Sequence, residues 1–167
     1  LTDLGVELIK HCNDLNMIVD NSHLNEKGFW DIAKYSHHPL VATHSNVHTI
    51  CPHTRNLTNR QLDAIKDTRG MVGVNFAPAF LRQDGKMLAD TDIQLIIDHL
   101  KYLIDYLGED HVGFGSDFDG AMMPKDLNSV TEMPKIIELM QNQGFDHSLL
   151  NKICHQNWIN LIKKILI

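Results

Sequence analysis

Cysteine is scarce in this sequence. Cys12, Cys51 and Cys154 are odd in number and none stands in a C-x-x-C pair, so neither a disulfide framework nor a thiolate zinc site is expected, and a reducing, cytoplasmic setting fits best. Long apolar runs are missing too. The longest are short segments such as Met71–Phe76, against the roughly 20 residues that a bilayer-spanning helix needs, so no membrane segment is expected. Basic charge is in deficit, with 15 Lys and Arg against 21 Asp and Glu and a formal net charge of -6. No basic cluster offers a surface for phosphates, and a nucleic-acid partner is not expected. The opening Leu1–Lys10 has neither an initiator Met nor a leader-like basic and apolar pattern; it already has helical apolar spacing, so a piece of a longer protein is expected.

What is present is a globular composition, 43% hydrophobic and 22% charged over 167 residues, about the length of one domain. No linker, low-complexity tract or short repeat divides it, so residues 1–167 read as a single, incomplete domain. Segments of helical period alternate with short Val-, Ile- and Phe-rich runs. Helices are expected over 2–15, 25–35, 58–68, 91–107, 131–143, 146–154 and 156–166, and strands over 17–20, 39–43, 71–76 and 112–116. Asn25 is a candidate N-cap, Thr58-Asn-Arg-Gln61 has the form of a capping box, and Gly108 sits where a helix C′ glycine would. Strands that alternate with helices imply parallel pairing through right-handed crossovers, as in a doubly wound sheet or a (β/α)8 barrel. Four such units would make half a barrel, with two open sheet edges.

In parallel α/β architectures chemistry gathers just beyond the carboxyl ends of the strands, because those loops open on one face. Here the strand ends carry Asp20-Asn-Ser-His23, Thr43-His44-Ser-Asn46, Asn75-Phe76 and Asp117-Phe-Asp119-Gly120. Imidazole is the commonest neutral metal ligand, and His23 and His44 occupy matched positions on adjacent strands, so they could share an ion; each could equally cap a strand. Asp117 and Asp119, two apart, would face one side if the chain stays extended, as ligands or acid/base groups, or they could simply end the strand in a polar turn. Arg55, in the long loop after the second strand, could clamp a carboxylate in a bidentate pair or lie solvated. His37, His38, His99, His111 and His147 read as surface residues, His48 and His53 as loop residues, and His11 and His155 as helix-face residues.

Ile18–His23, His44-Ser-Asn46, Arg55-Asn56, Gly73–Phe76 and Gly113–Gly120 together resemble the membrane dipeptidase (renal dipeptidase) family along essentially the whole chain. The resemblance implies a zinc dipeptidase on a (β/α)8 TIM barrel, of which this chain would form roughly the last four βα units. It also implies an amidohydrolase-like two-zinc centre whose bridging hydroxide attacks the peptide bond of a dipeptide. By the same resemblance His23 and His44 match ligands of the second zinc, Arg55 matches the residue that binds the dipeptide carboxylate, and Asp117 matches the acid/base that passes a proton to the leaving amine. Asp119 receives no role. The family's His-x-Asp zinc pair, bridging Glu and substrate-orienting His precede the region seen here, so three of five metal-ligating side chains are absent. Little or no dipeptidase activity is therefore expected of the chain as a monomer. The competing expectations are a non-catalytic half-barrel that binds or assembles, as a homo-oligomer or with a missing N-terminal half, and a haloacid-dehalogenase-like phosphatase using Asp117-x-Asp119.

Overall fold

A computed structural model describes residues 1–166; Ile167, the last residue of the expected domain, lies outside the described residues. The fold is α/β. Helices α1 (Asp3–Asp14) and α2 (Glu26–Tyr35) precede β1 (Val41–Ala42), which is followed by α3 (Asn59–Asp67) and β2 (Met71–Val74). Then come α4 (Pro78–Leu81), α5 (Gln94–Leu107) and β3 (Val112–Phe114), and finally α6 (Met133–Asn142), α7 (His147–Asn151) and α8 (Asn157–Leu166). The three strands form a parallel sheet in the order β1-β2-β3, with Val41 opposite Met71 and Val72 opposite Val112. The strand expected over 17–20 is a correction. It contributes a single parallel bridge, Asp20 to Val41, and Met17 beside it is 52% exposed, so that segment has no second neighbour to complete a ladder.

Alternation along the strands sends side chains to two different layers. Ala42, Val72, Val74 and Val112 join the main core with Leu62 and Ile65 of α3 and Ile96, Ile97, Leu100 and Leu103 of α5. Val41 and Met71 point the other way, against Ile18, Trp158, Leu161 and Ile165, so α8 covers the opposite face. Each large aliphatic side chain so buried contributes roughly 1.5–3 kcal/mol. Gly113 is required by this contact: a Cβ there would lie 2.6 Å from the Trp158 indole nitrogen.

Local sequence signals start and stop these helices as expected. Asn25 Oδ1 accepts the Gly28 amide at 2.8 Å, and Thr58 with Gln61 forms the reciprocal capping box of α3. Gly108, at φ 95°, ends α5. The break expected near residue 155 is instead a π-turn, Lys152–Gln156, which continues α7 into α8. That turn delivers Asn157 and Trp158 to the sheet. Asn157 Nδ2 donates to the carbonyl of Val112 (2.8 Å) and Trp158 Nε1 to that of Phe114 (2.9 Å). Residues 112 and 114 alternate with Gly115, whose N–H is spent on Val74 of β2 (3.0 Å), so these side chains satisfy carbonyls on the outer edge of β3. An exposed edge there is thereby blunted.

One helix face stays largely exposed, and one histidine expectation is corrected. In α1 only Ile9 of the apolar set is buried, while Leu4, Leu8 and Leu15 are exposed. His99, expected at the surface, is fully buried on the inner side of α5. Its Nδ1 accepts the Val47 amide at 3.1 Å, and Nε2 donates to the Leu81 carbonyl at 3.2 Å. A polar residue at a core position of the helical pattern reads as surface in the sequence; here two backbone groups from distant loops satisfy it.

The neutral ring of His99 is built in, because a second proton on Nδ1 would meet an N–H donor, and burial pushes its pKa down to about 4. The folded value lies below the ordinary 6.5, so the unfolded chain binds more protons between the two. The stabilisation is fully present above about pH 6.5 and is lost as pH falls toward 4, a loss of about 3 kcal/mol. Urea unfolding followed from pH 7 to pH 4 should show it, and His99→Gln, though less stable throughout, should have a flatter dependence.

Candidate functional site

Parallel pairing places all strand ends on one rim, and the polar loops there are fastened strand to strand. The bridge at Asp20 sets the first end beside β1, where Asn21 donates from its backbone and its side chain to the Val41 carbonyl (2.8 and 3.0 Å). Asp20 Oδ1 accepts the amides of Ser22 and Thr43 at 3.0 and 2.9 Å. Ser22 Oγ accepts the His44 amide at 2.9 Å. One step further, Ser45 N–H donates to the Gly73 carbonyl, which ties the end of β1 to β2. Asn46 and Asn75 lock the next pair: Asn46 Oδ1 accepts the Asn75 amide, and Asn46 Nδ2 donates to the Asn75 carbonyl, both at 2.9 Å.

His23 and His44 meet at this rim. Their Nε2 atoms are 2.9 Å apart and their ring centroids 4.9 Å. His23 is exposed and His44 half-buried. Burial lowers the pKa of His44; the Asp20 and Asp117 carboxylates oppose that shift, and Arg55 and His23 reinforce it. The ring is held neutral, the form that ligates metal. Behind it, Thr43 Oγ1 lies 2.6 Å from His44 Nδ1 and donates to Asp20 Oδ2 at 2.5 Å. Burial raises the pKa of Asp20, but the hydrogen bonds from Thr43 and Ser22 outweigh it, and the net shift is downward.

Asp117 and Arg55 join the same rim. Asn75 Nδ2 donates to Asp117 Oδ2 at 2.9 Å and also approaches the His44 carbonyl at 3.5 Å, so one buried amide links carboxylate and imidazole loop. The chain does not stay extended there: Asp117 and Asp119 both take left-handed conformations, φ 62° and 65°. The expectation that their carboxylates face one side is thus corrected, because the turn sends exposed Asp119 to solvent and Asp117 to Asn75. Gly120 leaves room at this turn for the Asp117 carboxylate, since a Cβ would lie 2.3 Å from Asp117 Oδ1. Arg55 is half-buried. Its Nη2 donates to the His44 carbonyl at 3.4 Å, its guanidinium carbon lies 5.4 Å from the Phe80 ring centroid, and Nη1 is buried without a partner among the described residues. Burial lowers the Arg55 pKa against the pull of the Asp117 and Asp20 carboxylates. His53, by contrast, packs against Phe80 and accepts the Arg55 amide at 3.1 Å, a role within its loop.

The structure therefore brings His23, His44, Asp117 and Arg55 to one mouth. Asp20, Thr43, Asn46 and Asn75 carry no role in the sequence reading; their placement directly before or beside the reactive residues is the signal available. Among the described residues no group of three or more His, Cys, Asp or Glu is placed to hold a metal ion.

Paired imidazoles, a braced carboxylate and a guanidinium thus share the carboxyl rim of a parallel sheet, where chemistry gathers in this architecture. The chain belongs to the membrane dipeptidase family, peptidase family M19, which matches residues 1–166. It is similar to a metallopeptidase from Rhodobacter sphaeroides whose crystal structure holds a phosphinate mimic of the dipeptide L-Ala-D-Ala. Those two chains share 52% identity with a TM-score of 0.97, over 99% of this chain and 47% of that one. A protein encoded in the pqqA 5′ region of Klebsiella pneumoniae is 49% identical over 99% of this chain and 61% of its own length. Dipeptidase tcpJ of Claviceps purpurea is 30% identical over 99% of this chain and 38% of its own. The chain thus spans about half the length of the relatives it matches. The family match displaces the phosphatase expectation for Asp117-x-Asp119.

Asn46→Ala removes both partners of the buried Asn75 backbone and leaves its N–H unpaired. A loss of about 2 kcal/mol in urea unfolding is expected. Because Asn75 also braces Asp117, the amide resonances of residues 116–118 should shift in the same variant.

Proposed function

We propose that this chain supplies the C-terminal half of a zinc-dependent dipeptidase with a (β/α)8 TIM barrel, and with it one side of a two-zinc centre. The observation that carries this reading is the convergence of the His23 and His44 Nε2 atoms at 2.9 Å beside Arg55, whose Nη1 is buried and unpaired. The donor set fits zinc. Two imidazoles on a tetrahedral ion with Zn–N of about 2.0–2.1 Å sit roughly 3.3 Å apart, so a spread of a few tenths of an ångström admits the metal. When bound, the ion supplies Lewis acidity and a hydroxide nucleophile at neutral pH.

The remaining work falls to the chain's own groups. Arg55 pairs with the terminal carboxylate of the substrate, which satisfies its buried N–H and restricts substrates to peptides whose C-terminus lies next to the scissile bond. Asp117 holds the proton destined for the leaving amine. With Oδ2 fixed by Asn75, its Oδ1 is the atom left to carry that proton, over the space that Gly120 leaves open.

The similarity to a metallopeptidase that binds a dipeptide mimic and to a named dipeptidase supports this assignment. The three free cysteines agree with a cytoplasmic location, and no described helix is long and apolar enough to cross a membrane. Because the chain spans only part of its relatives and supplies two histidines to the centre, it is expected to bind zinc without turning over dipeptides.

Zinc titration by calorimetry tests the reading. One ion should bind, and His23→Ala and His44→Ala should each remove most of the affinity. Dipeptide hydrolysis with added zinc should stay at background. Robust turnover would overturn the half-centre assignment, and zinc binding indifferent to both histidines would favour a non-catalytic half-barrel.

A further inference from the structure

Proton counting behind His44 fixes more than its position. Thr43 Oγ1 lies between two acceptor-capable atoms, Asp20 Oδ2 at 2.5 Å and His44 Nδ1 at 2.6 Å. A hydroxyl has one hydrogen to give. The Asp20 carboxylate can only accept, and its Oδ1 is already taken by the amides of Ser22 and Thr43. The Thr43 hydrogen therefore goes to Asp20, and Thr43 Oγ1 turns its lone pair to the imidazole. His44 Nδ1 must then carry the ring hydrogen, and Nε2 is left bare at the mouth. The contact with His23 fits this count: at 2.9 Å one Nε2 must donate, and with His44 Nε2 bare the donor is His23.

We propose that Asp20 and Thr43 are positioning residues, forming a carboxylate–hydroxyl relay that locks His44 in its Nδ1–H tautomer and presents Nε2 as a preformed metal ligand, while His23 is the adjustable partner. The relay rests on the metal reading above for its purpose, though not for its geometry. With a metal present, His44 would keep its tautomer and His23 would carry its ring hydrogen at Nδ1, so that both Nε2 atoms would be free to hold the ion. The motif places the relay economically, because Asp20 and Thr43 stand on the two neighbouring strand ends that also carry His23 and His44. A hydroxyl interposed between carboxylate and imidazole reaches across the 3.7 Å that separates Asp20 Oδ2 from Nδ1. Outer partners of this kind typically change metal affinity by about 10- to 100-fold when removed.

The tautomer can be read without metal. In the ¹⁵N-labelled, metal-free chain at mildly alkaline pH, long-range ¹H–¹⁵N correlations should show His44 protonated at Nδ1 and His23 at Nε2. Thr43→Val should move His44 toward the Nε2–H form, and Thr43→Ser should restore the parent pattern. Asp20→Asn, which can donate toward Thr43, should reverse the relay and shift His44 the same way as Thr43→Val. Cobalt(II) titration gives the second readout: Thr43→Val should weaken binding about tenfold or more, and Thr43→Ser should remain close to the parent. His44 found as Nε2–H in the parent, or unchanged by Thr43→Val, overturns the relay. If cobalt binding is absent while the tautomer follows Thr43 as described, the relay stands and the metal reading of the site fails instead.

Discussion

Parallel pairing of the strand ends is the constraint on which the site depends. The register that sets Val41 against Met71 and Val72 against Val112 brings four carboxyl-terminal turns to one rim. Short strands alone would hold those turns loosely. Side-chain amides and hydroxyls take over where the ladder stops: Asp20 grips Thr43, Ser22 grips His44, and Asn46 grips Asn75. Each bond joins a residue of one strand end to the backbone of the next or to its own turn, so the reactive groups sit on a rigid lattice.

The same lattice sets the electrostatics. The charges of two carboxylates, Asp20 and Asp117, act on both His44 and Arg55. Burial pushes His44 and Arg55 toward their neutral forms, whereas the carboxylates hold the charge in place. A ligand bearing a carboxylate and a cation with open coordination positions would together relieve this arrangement: one meets the unpaired Arg55 Nη1, the other the facing imidazole nitrogens.

On the far side of the sheet, α8 does what a further strand would do in a closed barrel. Asn157 and Trp158 satisfy outward carbonyls of β3, and the indole fills the space that Gly113 leaves. Among the described residues, the large apolar side chains left exposed include Leu4, Leu8, Leu15 and Met17 at the opposite end of the chain. Leu4, Leu8 and Leu15 share one face at helical spacing, a pattern that in the sequence fits core or interface alike. Burial depends on what stands opposite, and among the described residues these side chains stay exposed.

Much of the architecture was legible beforehand. Helical period, the Thr58–Gln61 capping box and Gly108 marked elements whose physics is local, and the Val-rich runs marked β2 and β3. His23, His44, Arg55 and Asp117 were legible because each follows an apolar run or matches a family motif. What sequence alone could not settle depends on groups brought from far along the chain. His99 is buried because Val47 and Leu81 reach it, and residues 17–20 make one bridge because no second strand pairs with them. Asp119 turns away because left-handed backbone at Asp117 and Asp119 redirects it. Asp20, Thr43 and Asn75 acquire roles only once hydrogen bonds spanning more than twenty positions join Asp20 to Thr43 and Asn75 to Asp117. Spacing along the chain determined which reactive residues exist and that they would end strands; packing between segments decided which way each one points, because orientation is set by partners that the local sequence does not contain.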